Sequence, residues 1–281
     1  MTIRDAATVM LVRDNPHLEV FMLRRNPRAV FGPGAYVFPG GAVDDDDANV
    51  ATSGRDHAST DRLMSRDGAL RWWVAAAREA FEESGFLLSD RAVAGDLTDA
   101  RKSLNAGDAT FSGLLQTRDV AVACDSMFLF SHWLTPEGQP RRYDTWFLLA
   151  HAPEGQIGTH DNAETVDSEW VRPGDMLRRW GNDEIELIFP TMRTLRVMEQ
   201  FDNAHDIVAA LANAEADGHA NDQTSLLVDD ASGERVMFAH EVRDDARRGW
   251  KPLEPSWQTD VDIERYEYEQ LQRFSPDESV A

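Results

Sequence analysis

Residues 78–86 read Arg78-Glu79-Ala80-Phe81-Glu82-Glu83-Ser84-Gly85-Phe86, and Glu79, Glu82 and Glu83 stand at i, i+3 and i+4. At 3.6 residues per turn those positions share one helix face, while Ala80 and Phe81 point elsewhere. Upstream, Ala69, Leu70, Trp73, Ala76 and Ala77 continue the apolar spacing of Ala80 and Phe81, so a helix is expected between Gly68 and Gly85. Like charges so placed destabilise an isolated helix by roughly 0.2–0.5 kcal/mol per pair, which makes sense where cations bind. Hard carboxylate oxygens suit Mg²⁺ or Mn²⁺, which keep several waters and bridge to phosphate groups. A solvated acidic face, with Arg78 paired to Glu82, is the competing account of the same residues.

Working outward, residues 35–38 are expected to form a short strand and Pro39-Gly40-Gly41 a sharp turn whose glycines permit close backbone approach. With Phe38-Pro39-Gly40-Gly41 in place, the sequence resembles the Nudix family, whose box runs G-x5-E-x7-R-E-U-x-E-E-x-G-U, where U is bulky and apolar. Arg78-Glu79, Glu82-Glu83, Gly85 and Phe86 match its second half in register, and Gly41 matches its first glycine. Two features depart from it. Residues 42–77, 36 in number, separate Gly41 from Arg78, about 23 more than the pattern has, and Leu70 stands at the in-frame position of the first box glutamate. That acid is lost or displaced to the run Asp44 to Asp47, which we read as part of a solvated inserted loop at about 44–67, with at most one helical turn.

The long insertion, Trp133-Leu134-Thr135-Pro136 and Arg141-Arg142-Tyr143-Asp144-Thr145 are similar to the Nudix branch that includes peroxisomal coenzyme A diphosphatases. Glu164 through Trp170 and Phe189-Pro190-Thr191 extend the similarity over roughly residues 6–201. The resemblance implies an α/β fold, a Nudix-type α/β/α sandwich around a mixed sheet, with helical insertions and a C-terminal extension. It implies hydrolysis of the diphosphate in CoA or acyl-CoA, giving an adenosine 3′,5′-bisphosphate and a 4′-phosphopantetheine fragment. Catalytic roles then fall to Arg78, Glu79, Glu82 and Glu164: Mg²⁺ (or Mn²⁺) is held by Glu79, Glu82 and Glu83, Arg78 orients a carboxylate, and Glu79 or Glu164 is the general base. Glu164, a few residues before Trp170, has the placement of a loop glutamate that joins the metal site in some Nudix enzymes, and Asp161 is a second candidate. Homodimerisation is a family habit. Two alternatives stay open: a pyrophosphatase of ADP-ribose or dinucleotides, and a Nudix-like nucleotide sensor that does not cleave, suggested by Leu70.

For the substrate, Arg25, Arg141 and Arg142 are expected to clamp phosphates through the bidentate guanidinium fork, with Arg24 and Arg28 as further candidates and Gly40 and Gly41 giving close backbone approach. Trp133 and Tyr143 stack on a base or fill the core. Elsewhere, residues 6–13 and 19–25 predict a hairpin around Asp14-Asn15-Pro16, and 127–134 and 143–151 two further strands. Residues 96–105, 110–117, 175–180, 190–201 and 204–216 predict helices, 169–171 a strand, 225–229 with 235–239 a hairpin, and 260–274 a charged helix. The expected division is a Nudix domain over 1–201 and a helical and hairpin extension over 202–281 packed on it.

A formal charge of −22, from 50 acidic against 28 basic side chains, argues against nucleic acid as a partner, yet bound divalent cations invert the local field for a small anionic substrate. Cys124 is the only cysteine, so an intramolecular disulfide and a Cys-rich zinc site are excluded and an inert core thiol is expected. The eight histidines lack the i, i+4 pairing of a helical zinc site, and no nucleophile elbow or P-loop is present. With no charged-then-apolar leader, no long apolar run and a Ser-Val-Ala ending, the expectation is a cytoplasmic protein without a membrane partner.

Overall fold

The computed structural model describes residues 3–135, 141–216, 225–230 and 233–238. β1 (Ile3–Asp14) and β2 (Leu18–Arg25) form the expected hairpin. They pair only close to the turn, from Val12↔Val20 to Asp14↔Leu18, and then diverge. Two short strands occupy the opening, β3 (Tyr36–Val37) against β2 and β4 (Gly40–Ala42) against β1. Along the other side of β1 runs β8 (Arg142–His151), parallel to it from Ile3↔Arg142 to Val12↔His151. β7 (Met127–Leu134) pairs antiparallel with β8, and β9 (Thr165–Val171) antiparallel with the free side of β2. The parallel β1–β8 pair makes this seven-stranded sheet mixed.

Period-2 alternation sends successive side chains to opposite faces, and both faces are covered. Ala7, Val9 and Leu11 of β1, with Leu148 and Ala150 of β8, pack beneath α2 (Leu70–Glu79), which contributes Leu70, Trp73, Ala76 and Ala77 and is continued by Phe81. Met10, Val12 and Leu149 face the other way, onto α5 (Pro173–Gly181), α6 (Phe189–Met198) and α7 (Ala204–Ala216), through Met176, Leu177, Leu195, Ile207 and Leu211. The result is the α/β/α sandwich. Each large apolar side chain so buried contributes about 1.5–3 kcal/mol, and the aromatics Trp72, Trp73 and Phe81 anchor the helix that carries the carboxylates.

Two sequence expectations need correction. Pro39-Gly40-Gly41 is not a sharp turn, because Gly40 and Gly41 pair with Thr8 and Ala7 as part of β4. Gly40 is required there: a Cβ would lie 2.6 Å from the Ala7 carbonyl oxygen. Nor is the insertion a solvated loop. It holds a 3₁₀ turn (Asp45–Asn49), β5 (Thr52–Ser53) paired with β6 (Val122–Ala123), and α1 (His57–Met64), capped by Asp56 accepting from the Ser59 amide at 2.7 Å. Long-range charge pairs fasten it. Arg66 binds Asp5 at 2.8 Å and Asp144 at 3.2 Å, while Arg55 donates to the Cys124 and Met127 carbonyls and to Glu215 at 2.7 Å.

α3 (Thr98–Asn105) and α4 (Phe111–Thr117) follow the carboxylate helix as expected, and the hairpin near the end is β10 (Ser225–Asp230) with β11 (Gly233–Phe238). The charged helix expected at 260–274 lies outside the described residues. Cys124 is buried, and burial pushes its thiol up to about 12, in keeping with an inert core thiol.

Candidate functional site

The regular α2 helix ends at Glu79, and Ala80–Ser84 form a π turn closed by Gly85 at φ +81°. Such turns are frequent at functional sites. Here the turn carries Glu82 and Glu83 on beyond Glu79, against β4. A Cβ on Gly41 would meet the Glu79 carboxyl at 2.5 Å, so any other residue here would push that carboxyl out of its place. The Gly40 amide donates to Glu83 Oε2 at 3.0 Å. The diglycine therefore contributes one donor and one space to the carboxylates.

Arg78 organises the cluster from within. Its Nη1 donates to Glu79 Oε1 at 2.7 Å and to Glu82 Oε2 at 3.2 Å, and its Nη2 to the Ala42 carbonyl at 2.7 Å. The remaining donors turn to the insertion, where Nε reaches Asp47 Oδ1 at 2.9 Å and Nη2 reaches Asp47 Oδ2 at 3.1 Å. Asp47 is only 3% exposed, so this acid does not solvate a loop as its run of neighbours suggested. The sequence did carry a signal for it, since Leu70 at a box glutamate position left that acid lost or displaced to the run Asp44 to Asp47. Leu70 itself is buried in the core beneath the helix.

Burial dominates the electrostatics of the three carboxylates. Burial pushes the Glu79 carboxyl up to about 7, against the lowering effect of Arg78, and the Glu82 charge raises it further. Glu83 is raised well above the ordinary carboxylate range by burial first and by the Glu79 charge second. Glu82 is raised as well, chiefly by burial. Arg78 is lowered by burial, but Asp47, Glu79 and Glu82 outweigh that, and its net shift is upward. Among the described residues no three acidic, His or Cys side chains already converge as a ligand set. Yet Glu79 Oε2, Glu82 Oε1 and Glu83 Oε1 accept no hydrogen bond from the described residues. Three partly desolvated hard-oxygen donors in one turn of helix fit the chemistry of a divalent cation such as Mg²⁺ or Mn²⁺.

Of the other expected residues, the sheet brings two to this cluster. Arg25 ends β2 and pairs in register with Thr165 at the start of β9, next to Glu164, whose carbonyl accepts from the Asn26 amide at 2.9 Å. Both charges act on Glu83, Glu164 raising its pKa and Arg25 lowering it. Asp161 is occupied in building the loop, since it accepts from the amides of Ala163, Glu164 and Thr165 and from the Thr165 hydroxyl. The Glu164 side chain is exposed. Arg141 and Arg142 lie apart. Arg142 pairs with Ile3, four residues along β1 from the Ala7 that faces Gly41, which is roughly 13 Å of strand rise, and its Nε donates to the Thr135 carbonyl. Trp133 is a core residue with its indole N–H on the Ser131 hydroxyl. Beyond the end of the carboxylate helix lies a cleft of about 850 Å³, lined by Phe81, Gly85, Leu87, Arg101, Gln156 and Ile157 among others.

A family profile described as the NUDT19 Nudix domain matches residues 50–198, more than half of the chain. The chain belongs to the NUDT19 Nudix family. Within that family, acyl-coenzyme A diphosphatase NUDT19 of Gallus gallus is 26% identical over 264 residues, covering 73% of this chain and 70% of that protein. Its Homo sapiens counterpart is 25% identical over 233 residues, covering 67% and 62%. Putative nudix hydrolase 7 of Caenorhabditis elegans is 28% identical over 175 residues, covering 60% of this chain and 52% of that protein. This chain thus spans between about half and seven tenths of the curated Nudix relatives it matches. Among solved structures, a Nudix hydrolase from Alicyclobacillus acidocaldarius superposes with a TM-score of 0.64 at 28% identity, covering 75% of this chain and 97% of that one. No described helix is long and apolar enough to cross a membrane.

Proposed function

We propose that this chain hydrolyses the diphosphate linkage of CoA or acyl-CoA, the substrate class for which its NUDT19 relatives are named. The observation that carries this reading is the single guanidinium of Arg78 holding Glu79 and Glu82 side by side, with Glu83 one residue on and anchored to Gly40. Glu79, Glu82 and Glu83 would hold Mg²⁺ or Mn²⁺, whose charge supports the diphosphate oxygens and makes water a better nucleophile at neutral pH. Arg25, whose charge acts on Glu83 and whose Nε donates to the Phe31 carbonyl, takes a substrate phosphate, and Arg141 and Arg142 serve a more distant part of a long substrate. The diglycine of β4 serves the substrate indirectly, Gly41 leaving room for the Glu79 carboxyl and the Gly40 amide anchoring Glu83.

Glu164 is the proposed general base. Its loop is braced by Asp161 and tied to Asn26, and its carboxylate acts on Glu83 while remaining exposed. The water oxygen forms a bond to phosphorus as the anhydride P–O bond breaks, the water proton passes to Glu164, and the leaving phosphate departs with the electron pair. The products are an adenosine 3′,5′-bisphosphate and a (acyl-)4′-phosphopantetheine. With Asp47 on Arg78, the lack of a glutamate at position 70 no longer speaks for a non-cleaving sensor. The buried lone Cys124 suits the reducing cytoplasm.

The test is turnover with Mg²⁺ on a panel of CoA, acyl-CoAs, ADP-ribose, NADH and diadenosine polyphosphates. Release of 4′-phosphopantetheine species from the CoA group is the expected result. Preference for ADP-ribose or a dinucleotide refutes the substrate class, and binding of one compound without turnover of any refutes the hydrolase.

A further inference from the structure

We propose that Asp47, delivered by the insertion, is the positioning residue for Arg78, holding its guanidinium edge-on so that one nitrogen is presented to Glu79 and Glu82 together. A guanidinium is a rigid planar fork with five N–H donors, so fixing one edge fixes where the other nitrogen points. All five donors are engaged here. Nε and one Nη2 hydrogen go to the two oxygens of Asp47, the other Nη2 hydrogen goes to the Ala42 carbonyl, and Nη1 divides between Glu79 and Glu82. Without the Asp47 edge, the Ala42 carbonyl is the one remaining neutral tether, and the guanidinium is free to turn toward either glutamate or toward the exposed Asp44 at 3.7 Å.

Asp47 is built for the task in a way its neighbours are not. It is buried while Asp44, Asp45 and Asp46 are exposed, and its Oδ2 also accepts from the Asp44 amide at 2.8 Å, which fixes the carboxylate within its own turn. The in-frame alternative is out of reach: Leu70 lies eight residues before Arg78 on the same helix, roughly 12 Å along the axis, and is 3% exposed in the core. The insertion therefore completes the site from outside the helix that bears it. Groups that orient ligating carboxylates typically matter by about 10–100-fold in metal affinity or activity.

The kinetic part of the test rests on the hydrolase reading, and the binding part does not. Asp47→Asn, Arg78→Gln and the double variant are made in the full chain, and kcat, KM and Mn²⁺ affinity by electron paramagnetic resonance are measured, with thermal unfolding as the check on folding. The expected result is a fall of about 10–100-fold in kcat and in Mn²⁺ affinity for Asp47→Asn, with little change in KM. In the Arg78→Gln background the same change should have less than about a 2-fold effect, because its route runs through Arg78. Asp45→Asn and Asp46→Asn should match the parent. Equal effects with and without Arg78, or an Asp47→Asn protein indistinguishable from the parent, overturn the proposal. If Asp47→Asn fails to unfold cooperatively, Asp47→Glu, which keeps the charge and displaces it, is taken through the same cycle. A parent chain that binds Mn²⁺ but cleaves no diphosphate refutes the hydrolase reading and leaves the affinity comparison to decide on Asp47.

Discussion

Glu79 is where burial, charge and proton binding meet most directly. Burial raises its carboxyl from an ordinary 4.5 to about 7, Arg78 pulling it down and Glu82 pushing it further up. Between those two values the folded chain keeps a proton that the unfolded chain has released, so stability declines as pH rises. This contribution is intact below about 4.5 and fully lost above about 7. At ~1.4 kcal/mol for each tenfold difference in proton affinity, the gap amounts to about 3 kcal/mol, a sizeable share of a typical 5–15 kcal/mol. The side chain is 12% exposed, so solvent screening takes little from that figure. Glu83 is raised from the same cause and adds in the same direction. The assay is urea unfolding in EDTA from about pH 4 to 8, comparing the parent with Glu79→Gln, whose amide keeps the shape and removes the titration. The variant should match the parent at the acid end and exceed it by up to about 3 kcal/mol at the alkaline end. Mg²⁺ should restore the parent at high pH more than the variant, since a cation needs the ionised carboxylate. Parallel curves for the two proteins would show that Glu79 is solvated and ordinary, and the account of the site would fall with that result.

Glu82→Gln should lower kcat by at least ~100-fold while leaving the unfolding midpoint near that of the parent, because several kcal/mol of charge stabilisation depend on a residue that is only partly buried. Glu164→Gln should lower kcat by about 10²–10⁴-fold with little change in KM or in the unfolding midpoint; a kcat equal to that of the parent would exclude Glu164 as base. Gly41→Ala puts a Cβ 2.5 Å from the Glu79 carboxyl, and should cost about 1–3 kcal/mol of stability together with most of the activity, measured side by side.

What the sequence made legible were the features that depend on local period. Residues 6–13 form an apolar run closed by Asp14-Asn15-Pro16, so β1 announced itself as one arm of a hairpin, while the fold adds that Ala7, Val9 and Leu11 meet one layer and Met10 and Val12 the other. Leu70, Trp73, Ala77 and Phe81 likewise gave away the helix and the side it buries, and with it the shared face of the three glutamates. The strand that Gly40 and Gly41 form was hidden by propensity, which disfavours glycine in a ladder. They pair there because the absence of a side chain is what the neighbouring Ala7 carbonyl and the Glu79 carboxyl require.

The insertion was illegible for a different reason. It has little apolar periodicity, and its order derives from partners far along the chain: Arg66 on Asp5 and Asp144, Arg55 on Glu215, and Asp47 on Arg78. A charged residue reads as solvated until the residue opposite it is known. Asp47 and the exposed Asp46 are the same chemical group one position apart, and only the fold separates a carboxylate that meets water from one that meets a buried guanidinium. The same logic bears on the family's box. Its first half is recognised by spacing, and spacing fails once about 23 residues enter it, yet in this chain the inserted segment itself returns a carboxylate to Arg78, because the turn that carries Asp47 is buried at the right place.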